Sequence, residues 1–268
     1  MHLVDRSSVK DLMDAACISP SKDKGQNFLV EVEKCKNIVN LLKNDANSNV
    51  LEIGPGLGSL TYHLQNKCNN LTLVDIDPRI VFYLKYEVNE GVIIVEEDAL
   101  KFDVKNYDFI ISNIPYNITS NLMEHLLLNA ISCKQFVLMM QKENFAHFND
   151  VSGSEYGPLS VLTYLIGDIK KAFDVSASSF VPKPKCTSTV FTIETNDKYD
   201  RKLVTETYKL AKKLFLNRRK TILNNLSNVI GKDKATSILE SLSINPLKRP
   251  EELSPHDFYE INNIINAK

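Results

Sequence analysis

Short apolar runs rich in β-branched residues alternate with amphipathic segments over the first two thirds of the chain. The segments between the runs, such as SLTYHLQNK and TSNLMEHLLLNA, place apolar residues at helical spacing. Strands and helices that alternate in this way predict an α/β fold with a mostly parallel, doubly wound sheet. The last two runs follow each other closely, which favours antiparallel pairing at the sheet edge. The seven runs are residues 49–53, 71–76, 92–97, 108–114, 135–140, 169–175 and 189–194.

After Thr195 the pattern contains helical segments only. The last segment opens with Ser254 and Pro255, a pair typical of a helix N-cap and first helical position. This change of pattern predicts two domains, residues 1–195 with the sheet and residues 196–268 as a small all-α domain. The helical segments are residues 202–215, 219–230, 234–242 and 254–265.

Composition narrows the class of protein. The chain has 268 residues, 43% of them apolar, and no apolar run near the roughly 20 residues that a membrane-spanning helix requires. Charges occupy the N-terminal stretch where a signal peptide needs its apolar region, so we expect a cytoplasmic protein with no membrane partner. The cysteines are single and lack a CxxC pair, which indicates reduced thiols and no metal site. They are Cys17, Cys35, Cys68, Cys133 and Cys186.

The net charge of −1 conceals a difference between the two predicted domains. Residues 196–268 contain 14 Lys and Arg against 9 Asp and Glu, whereas residues 1–195 contain 18 against 24. Residues 209–220, which we call the basic segment, contain six basic residues and no acidic one. Such a segment is a candidate surface for an anionic partner.

The basic segment has two interpretations. Leu210, Leu214 and Phe215 form an apolar stripe at helical spacing, and the basic residues would then be an ordinary solvated face. The one-sided charge, with Arg218 and Arg219 beside a predicted helix break, favours contact with phosphates instead. We therefore expect this segment to contact phosphates.

The first predicted strand runs into a glycine-rich turn, EIGPGLGSL. Such a turn lets the backbone approach a ligand, but it lacks G-x-G-x-x-G spacing and a P-loop lysine, so a purely structural turn is the alternative. Asp75 follows Gly54 by 21 positions, close to the ~20-residue spacing at which a carboxylate meets a ribose diol. Asp98 ends the third strand, where a carboxylate could accept from an adenine amine. Either aspartate alone could cap a helix, but the three strand ends together predict a nucleoside pocket.

The nucleoside ligand is left open by these three strand ends. A dinucleotide would place its pyrophosphate on the glycine turn, whereas Glu52 beside that turn is better suited to an ammonium group. A glycine turn with an acidic residue is also how class I methyltransferases hold S-adenosylmethionine. The end of the fourth strand therefore decides between the two ligands.

The fourth strand ends in NIPYNIT, which resembles the Asn/Asp-Pro-Pro-Tyr-type motif of methyltransferases that act on exocyclic amines. Asn113 and the carbonyl of Ile114 can accept both N–H bonds of an adenine amine and favour a nitrogen lone pair that points at a methyl donor. Pro115 stiffens the loop, and Tyr116 offers a stacking face for an extruded base. The alternative is a proline turn before a helix that starts at Thr119.

These motifs together resemble the KsgA-type ribosomal RNA adenine N6,N6-dimethyltransferases. The resemblance covers nearly the whole chain after residue 8, and ordered matches at this number of places are specific. The matching segments are KGQNFL (24–29), EIGPGLG, EDALKFD, NIPYNIT, LMMQKE, YGPLSV, FVPKPK, NRRKT and RPEELS.

The resemblance implies a seven-stranded class I methyltransferase sheet with S-adenosyl-L-methionine as cofactor. It implies N6,N6-dimethylation of two adjacent adenosines in the 3′-terminal hairpin loop of small-subunit (16S) rRNA during ribosome biogenesis. It also implies a monomer that docks on the small ribosomal subunit precursor through its helical C-terminal domain. The residues implied to bind the cofactor are Asn27, Leu29, Gly54, Asp75, Asp98 and Asn113.

The resemblance further implies three catalytic residues, Asn113, Tyr116 and Phe180. Phe180 would be a second stacking ring, although an aromatic residue before VPKPK could simply pack a loop. Asn113 would therefore serve both the cofactor and the adenine.

Two other functions fit parts of the sequence. Erm-type methyltransferases of large-subunit rRNA share NIPYNI and PKPK, but usually lack Pro55 and the RRKT and RPEELS pair. A non-catalytic assembly or transcription factor would keep the fold for RNA binding alone. Such a factor would need none of the predicted pocket residues, namely Gly54, Asp75, Asp98, Asn113 and Tyr116.

Overall fold

The computed structural model describes residues 2–15, 17–20 and 26–267. The chain forms two compact units. The sheet unit comprises Met1–Glu143 and Lys170–Glu194, and the helical unit comprises Asn144–Ile169 and Thr195–Lys268.

The sheet unit contains the predicted seven-stranded sheet. Its strands lie in the order β4-β3-β2-β5-β6-β9-β7, and β1 and β8 form a separate antiparallel pair. Strands β2 to β6 pair in parallel, whereas β9 is antiparallel to β6, so the predicted fold class is confirmed. The strands are β1 Phe28–Leu29, β2 Asn49–Ile53, β3 Asn70–Asp75, β4 Ile93–Glu96, β5 Phe109–Asn113, β6 Gln135–Gln141, β7 Gly167–Val175, β8 Phe180–Val181 and β9 Ser188–Thr195.

The central strands are buried on both faces, as parallel strands between helices must be. Val50, Leu51, Ile110, Ile111 and Val137 are all fully buried. Burying a side chain of this size contributes roughly 1.5–3 kcal/mol, which explains why short β-branched runs suffice to define the sheet.

The helices connect the strands and build the second unit. They are α1 Val9–Ala15, α2 Val32–Asn40, α3 Thr61–Leu64, α4 Pro78–Glu87, α5 Thr119–Asn129, α6 Lys142–Asn149, α7 Pro158–Ile166, α8 Arg201–Phe215, α9 Ile222–Ile230, α10 Lys232–Ser241 and α11 Pro255–Asn266. Along the described ranges no helix is both long and apolar enough to cross a membrane.

The strand order places a ligand crevice beside β2. The chain proceeds outward from β2 through β3 to β4, and then returns to β5 on the other side of β2. In an open α/β sheet this reversal leaves a crevice at the carboxyl ends of the strands, where ligands bind.

The helical unit is larger than the sequence pattern indicated, because Asn144–Ile169 joins it in addition to the segment that follows β9. Helix α7 is the reason: its sequence PLSVLTYLI is mostly buried, and it packs on α8 and α11. The core of this unit also contains stacked rings of Phe215 and Phe258, with centroids 5.5 Å apart. Helix α11 begins as predicted, with the Ser254 hydroxyl accepting from the Asp257 N–H at 3.2 Å.

Candidate active site

A cavity of about 310 Å³ lies in the sheet unit at the carboxyl ends of β2 to β5. This volume is within the range of small-molecule sites. Seven of the eight predicted site residues line it. They are Asn27, Leu29, Gly54, Asp75, Asp98, Asn113 and Tyr116.

The glycine-rich turn after β2 forms one wall of the cavity. Gly54 and Gly56 have φ values of +66° and +56°, a left-handed conformation that side chains other than glycine rarely adopt. A Cβ on Gly56 would also lie 3.1 Å from the Phe28 ring. The turn therefore requires glycine for its conformation and for the close approach of Phe28, and it presents bare backbone to the cavity.

Asp75 and Asp98 lie at the ends of two neighbouring strands. Asp75 is the last residue of β3, and its Oδ1 accepts the Asp77 N–H at 2.9 Å. Asp98 follows β4, and its Oδ1 accepts the Leu100 N–H at 3.0 Å. Each carboxylate is thus oriented by a backbone N–H two residues further on, in an Asx-type turn. Such a turn depends on neighbouring residues only.

Glu52 adds a buried acid to the same cavity. Its Oε2 accepts the Thr61 hydroxyl at 2.7 Å, and the residue is 1% exposed. Burial raises the pKa of the Glu52 carboxyl to about 8, while the bond from Thr61 opposes the rise. A cation in the cavity would favour the ionised form, in agreement with the predicted preference of this position for an ammonium group.

Asn113 connects the end of β5 to the N-terminal segment. Its Nδ2 donates to the backbone carbonyl of Asn27 at 3.3 Å, which orients the side-chain amide. The Oδ1 atom is therefore the acceptor that Asn113 offers to a ligand amine. Ile114 is held as well, because its N–H donates to the Met139 carbonyl of β6 at 2.9 Å.

Tyr116 lies in the loop just before α5, and its side chain reaches a strand that is distant in sequence. Its hydroxyl lies 3.0 Å from the hydroxyl of Ser188, the first residue of β9. Burial raises the pKa of Tyr116, so the hydroxyl stays protonated near neutral pH. The ring is half-buried and keeps one part of its surface on the cavity.

Phe180 is placed differently from the other predicted residues. It is 1% exposed, and in the β1–β8 pair it lies opposite Leu29. The ring belongs to the hydrophobic core, and it is absent from the cavity wall that the structure describes. Its assignment as a stacking ring stays a prediction. Lys24 and Gly25 of the KGQNFL segment lie outside the described residues.

One cavity residue and two contacts that hold cavity residues escaped the sequence reasoning. Ile76 directly follows Asp75, lines the cavity and is 57% exposed, so an apolar face is available there for a flat heterocycle. An apolar residue placed right after a strand-end acid could have signalled it. Ser188 and the Asn27 carbonyl have no local signal, because each acts across a long stretch of chain.

The cavity fits S-adenosylmethionine by its donor set. Bare glycine backbone allows close approach of the ligand, while Asp75 suits a ribose diol and Asp98 an adenine amine. Asp75 and Asp98 make the cavity acidic, and Glu52 adds a carboxyl that a bound cation would ionise, which suits a ligand that carries an ammonium and a sulfonium group.

The last three cations of the basic segment differ in their contacts within the helical unit. Arg218 donates to the backbone carbonyls of Ser154 and Gly153 at 2.8 and 3.0 Å, so its guanidinium holds a loop of the same unit in place. Arg219 and Lys220 are exposed. Leu210 and Leu214 are buried, so the apolar stripe is core and the cations form the opposite face.

Fold and cavity together define a class I methyltransferase. A family model described as ribosomal RNA adenine dimethylase matches residues 19–267. The chain therefore belongs to the ribosomal RNA adenine dimethylase family, and it is an S-adenosylmethionine-dependent rRNA adenine dimethyltransferase.

Individual relatives agree with this family. A protein from Malacoplasma penetrans, named ribosomal RNA small subunit methyltransferase A, is 38% identical over 254 residues, which cover 90% of this chain and 93% of the relative. Its namesake from Mesoplasma florum is 35% identical over 262 residues, covering 92% and 98%.

Solved structures are similar over most of the chain as well. A dimethyladenosine transferase from Plasmodium falciparum has a TM-score of 0.77 at 28% identity, covering 89% of this chain and 97% of that chain. The 23S rRNA methyltransferase ErmE has a TM-score of 0.69 at 20% identity, covering 90% and 100%, a likeness of fold alone.

Proposed function

We propose that the protein transfers four methyl groups, two to each of two adjacent adenosines in the 3′-terminal hairpin loop of small-subunit rRNA. The observation that carries this proposal is the meeting of the glycine turn, Asp75, Asp98 and the Asn113–Tyr116 loop in one cavity. Relatives named ribosomal RNA small subunit methyltransferase A support the choice of subunit.

The proposed chemistry begins with a weak nucleophile. The lone pair of an adenine amine is delocalised into the ring, so the nitrogen attacks well only after it becomes pyramidal. Asn113 Oδ1 and the Ile114 carbonyl accept its N–H bonds and favour that geometry. The amide of Asn113 has the required orientation, because its Nδ2 is already engaged by the Asn27 carbonyl.

S-adenosylmethionine held beside Asp75 and Asp98 would supply an electrophilic methyl group: the amine nitrogen would bond to its carbon, sulfur would keep the electrons of the S–C bond, and the amine proton would pass to solvent. Asn113 and the Ile114 carbonyl hold the nitrogen, and Tyr116 holds the plane of the base. Positioning of this kind can supply roughly 7–11 kcal/mol of the barrier, so a strong base is not required.

The adenosine must leave its stack to reach the cavity. Stacking on an aromatic ring returns about 1–3 kcal/mol per base, which offsets part of the cost of extruding it. Tyr116 is an aromatic residue of the catalytic loop, and it lines the cavity. It is therefore the first candidate for this contact.

In this proposal the protein is a cytoplasmic monomer that acts on the small-subunit precursor. Its helical unit binds the RNA. Arg219 and Lys220 are the candidates for phosphate contacts, because they are exposed and adjacent. Arg218 has a different role, since it closes the loop at residues 153 and 154.

Mapping of the methyl groups tests the proposal. Small and large ribosomal subunits are isolated from a strain that lacks the enzyme and are incubated with the protein and tritiated S-adenosylmethionine. We expect four methyl groups per small subunit, all on N6 of two neighbouring adenosines near the rRNA 3′ end. Labelling confined to the large subunit would contradict the proposal and indicate an Erm-type activity.

A further inference from the structure

Ser188 is a buried hydroxyl outside the predicted site. It is the first residue of β9 and lies opposite Gln141 of β6 in the antiparallel register. The residue is 0% exposed, so its hydroxyl needs a partner inside the protein. The structure gives the Tyr116 hydroxyl as that partner, at 3.0 Å.

The partner of Ser188 is what sets it apart from neighbouring buried hydroxyls. Thr189, the next residue of β9, donates to Asp174 Oδ1 at 2.8 Å, and Asp174 is outside the cavity wall. Successive strand residues point to opposite faces of the sheet, so Ser188 faces the catalytic loop and Thr189 faces away from it. Of these two bonds, the one from Ser188 acts on a cavity residue.

The bond fixes the far end of the Tyr116 ring. The backbone that carries the ring is tied to the start of α5, because the Thr119 hydroxyl donates to the Tyr116 backbone carbonyl at 3.3 Å. A side chain with two rotatable bonds, anchored at its backbone and bonded at its hydroxyl, loses little further freedom when a base stacks on it. The plane of the ring is therefore set before the base arrives.

We propose that Ser188 is a positioning residue, which holds the Tyr116 ring in the plane in which it stacks on the target adenine. The inference rests on the proposed function, because it assumes that Tyr116 contacts the adenine. It adds to the catalytic loop a strand residue that lies 72 positions further along the chain. Ser188 itself touches neither the cavity nor the reacting atoms.

A double-mutant cycle tests this inference. Ser188→Ala, Tyr116→Phe and the double variant are compared for methyl transfer to small ribosomal subunits from the enzyme-deficient strain. We expect each single variant to lower kcat/KM about threefold to tenfold, the factor that corresponds to one hydrogen bond between uncharged groups. The double variant should be no slower than either single variant, since both remove the same bond.

Thr189→Val is the matched control. It removes a buried hydroxyl bond from the adjacent position of the same strand, so its effect on the thermal unfolding midpoint should resemble that of Ser188→Ala. Its kcat/KM should stay at the wild-type value, and calorimetry should give all variants the wild-type affinity for S-adenosylmethionine. Tyr116→Phe keeps the test decisive if Ser188→Ala does not fold.

Two results would overturn the inference. One is a Ser188→Ala enzyme, or in its place a Tyr116→Phe enzyme, with the kcat/KM of Thr189→Val. The other is a pair of single effects that multiply in the double variant, which would mean that Ser188 acts through general stability. Failure of the proposed function would look different: Tyr116→Ala would retain full turnover, or the wild-type protein would not label small subunits.

Discussion

The two sides of the active-site cavity are built in different ways. On the cofactor side, Asp75 and Asp98 end their own strands and are oriented by backbone N–H groups two residues further on. On the base side, Asn113 and Tyr116 depend on partners that lie 86 and 72 residues away in sequence. Local contacts hold the first side, and remote contacts hold the second.

The two sides should therefore differ in their sensitivity to mutations elsewhere in the protein. A strand end with its turn is formed as soon as the strand is in place, so the cofactor side should survive changes elsewhere in the protein. The base side needs β1, β5 and β9 to be brought together before its side chains are oriented. We therefore expect binding of the cofactor and methylation of the RNA to respond separately to mutation.

Asp75→Ala should have the largest effect on the cofactor side. Loss of a charge-assisted hydrogen bond should weaken S-adenosylmethionine binding by about 1.5–3 kcal/mol, measured by titration calorimetry. Asp103→Ala is the control, because Asp103 is an exposed aspartate of the sheet unit outside the cavity wall. An unchanged affinity in the folded Asp75 variant would remove this residue from the site.

Tyr116→Ala should affect the base side alone. Loss of a stacking contact of about 1–3 kcal/mol should lower kcat/KM for small subunits about 5- to 150-fold. The free energy of cofactor binding should change by less than about 1 kcal/mol, which is less than the loss expected for Asp75→Ala. Tyr86→Ala removes an exposed ring from α4 and serves as the control. Wild-type turnover by the Tyr116 variant would show that the base is held by other residues.

Glu52→Gln should alter the pH dependence of folding. The pKa of Glu52 is about 8 in the folded protein and near 4.5 when unfolded, so between these values the folded state binds more protons. Stability should therefore fall as pH rises through this window, by at most about 1.4 kcal/mol per pH unit from this group.

Urea unfolding of the wild type and the Glu52→Gln variant at pH 5, 6.5 and 8.5 measures this effect. The difference in stability between the two proteins should shift in favour of the variant as pH increases. A difference that is constant across the three pH values would mean that Glu52 is ionised in the folded cavity.

Arg219→Ser with Lys220→Ser should have the smallest effect and leave both sides of the cavity intact. Each phosphate contact removed should reduce the slope of log affinity against log salt by about 0.7–0.9, with cofactor binding unchanged. Arg218→Ser should instead lower the thermal stability, because it releases the loop carbonyls of Gly153 and Ser154. If the double variant binds subunits with an unchanged slope, RNA docking belongs on the sheet unit, with the KPK loop at residues 183–185 as the next candidate.

The sequence predicted the sheet and the meeting of its strand ends at one cavity, for a common reason. Each signal occupies a short stretch of sequence. A β-branched run of five or six residues defines a strand that is buried on both faces, and a glycine turn or strand-end acid lies within a few residues of its own strand. The NIPYNIT loop is similarly compact, and its place beside the glycine turn follows from the pairing of β2 with β5.

Tertiary structure alone decided the remaining features, because they depend on contacts between distant parts of the chain. It buried Phe180 opposite Leu29 in the β1–β8 pair, bonded Arg218 to a loop of its own unit, and placed α7 among the C-terminal helices. It also brought the Ser188 hydroxyl to Tyr116 through the insertion of β9 beside β6. A serine in a strand shows no local sign of its partner, since strand pairing and not sequence distance selects which side chains meet.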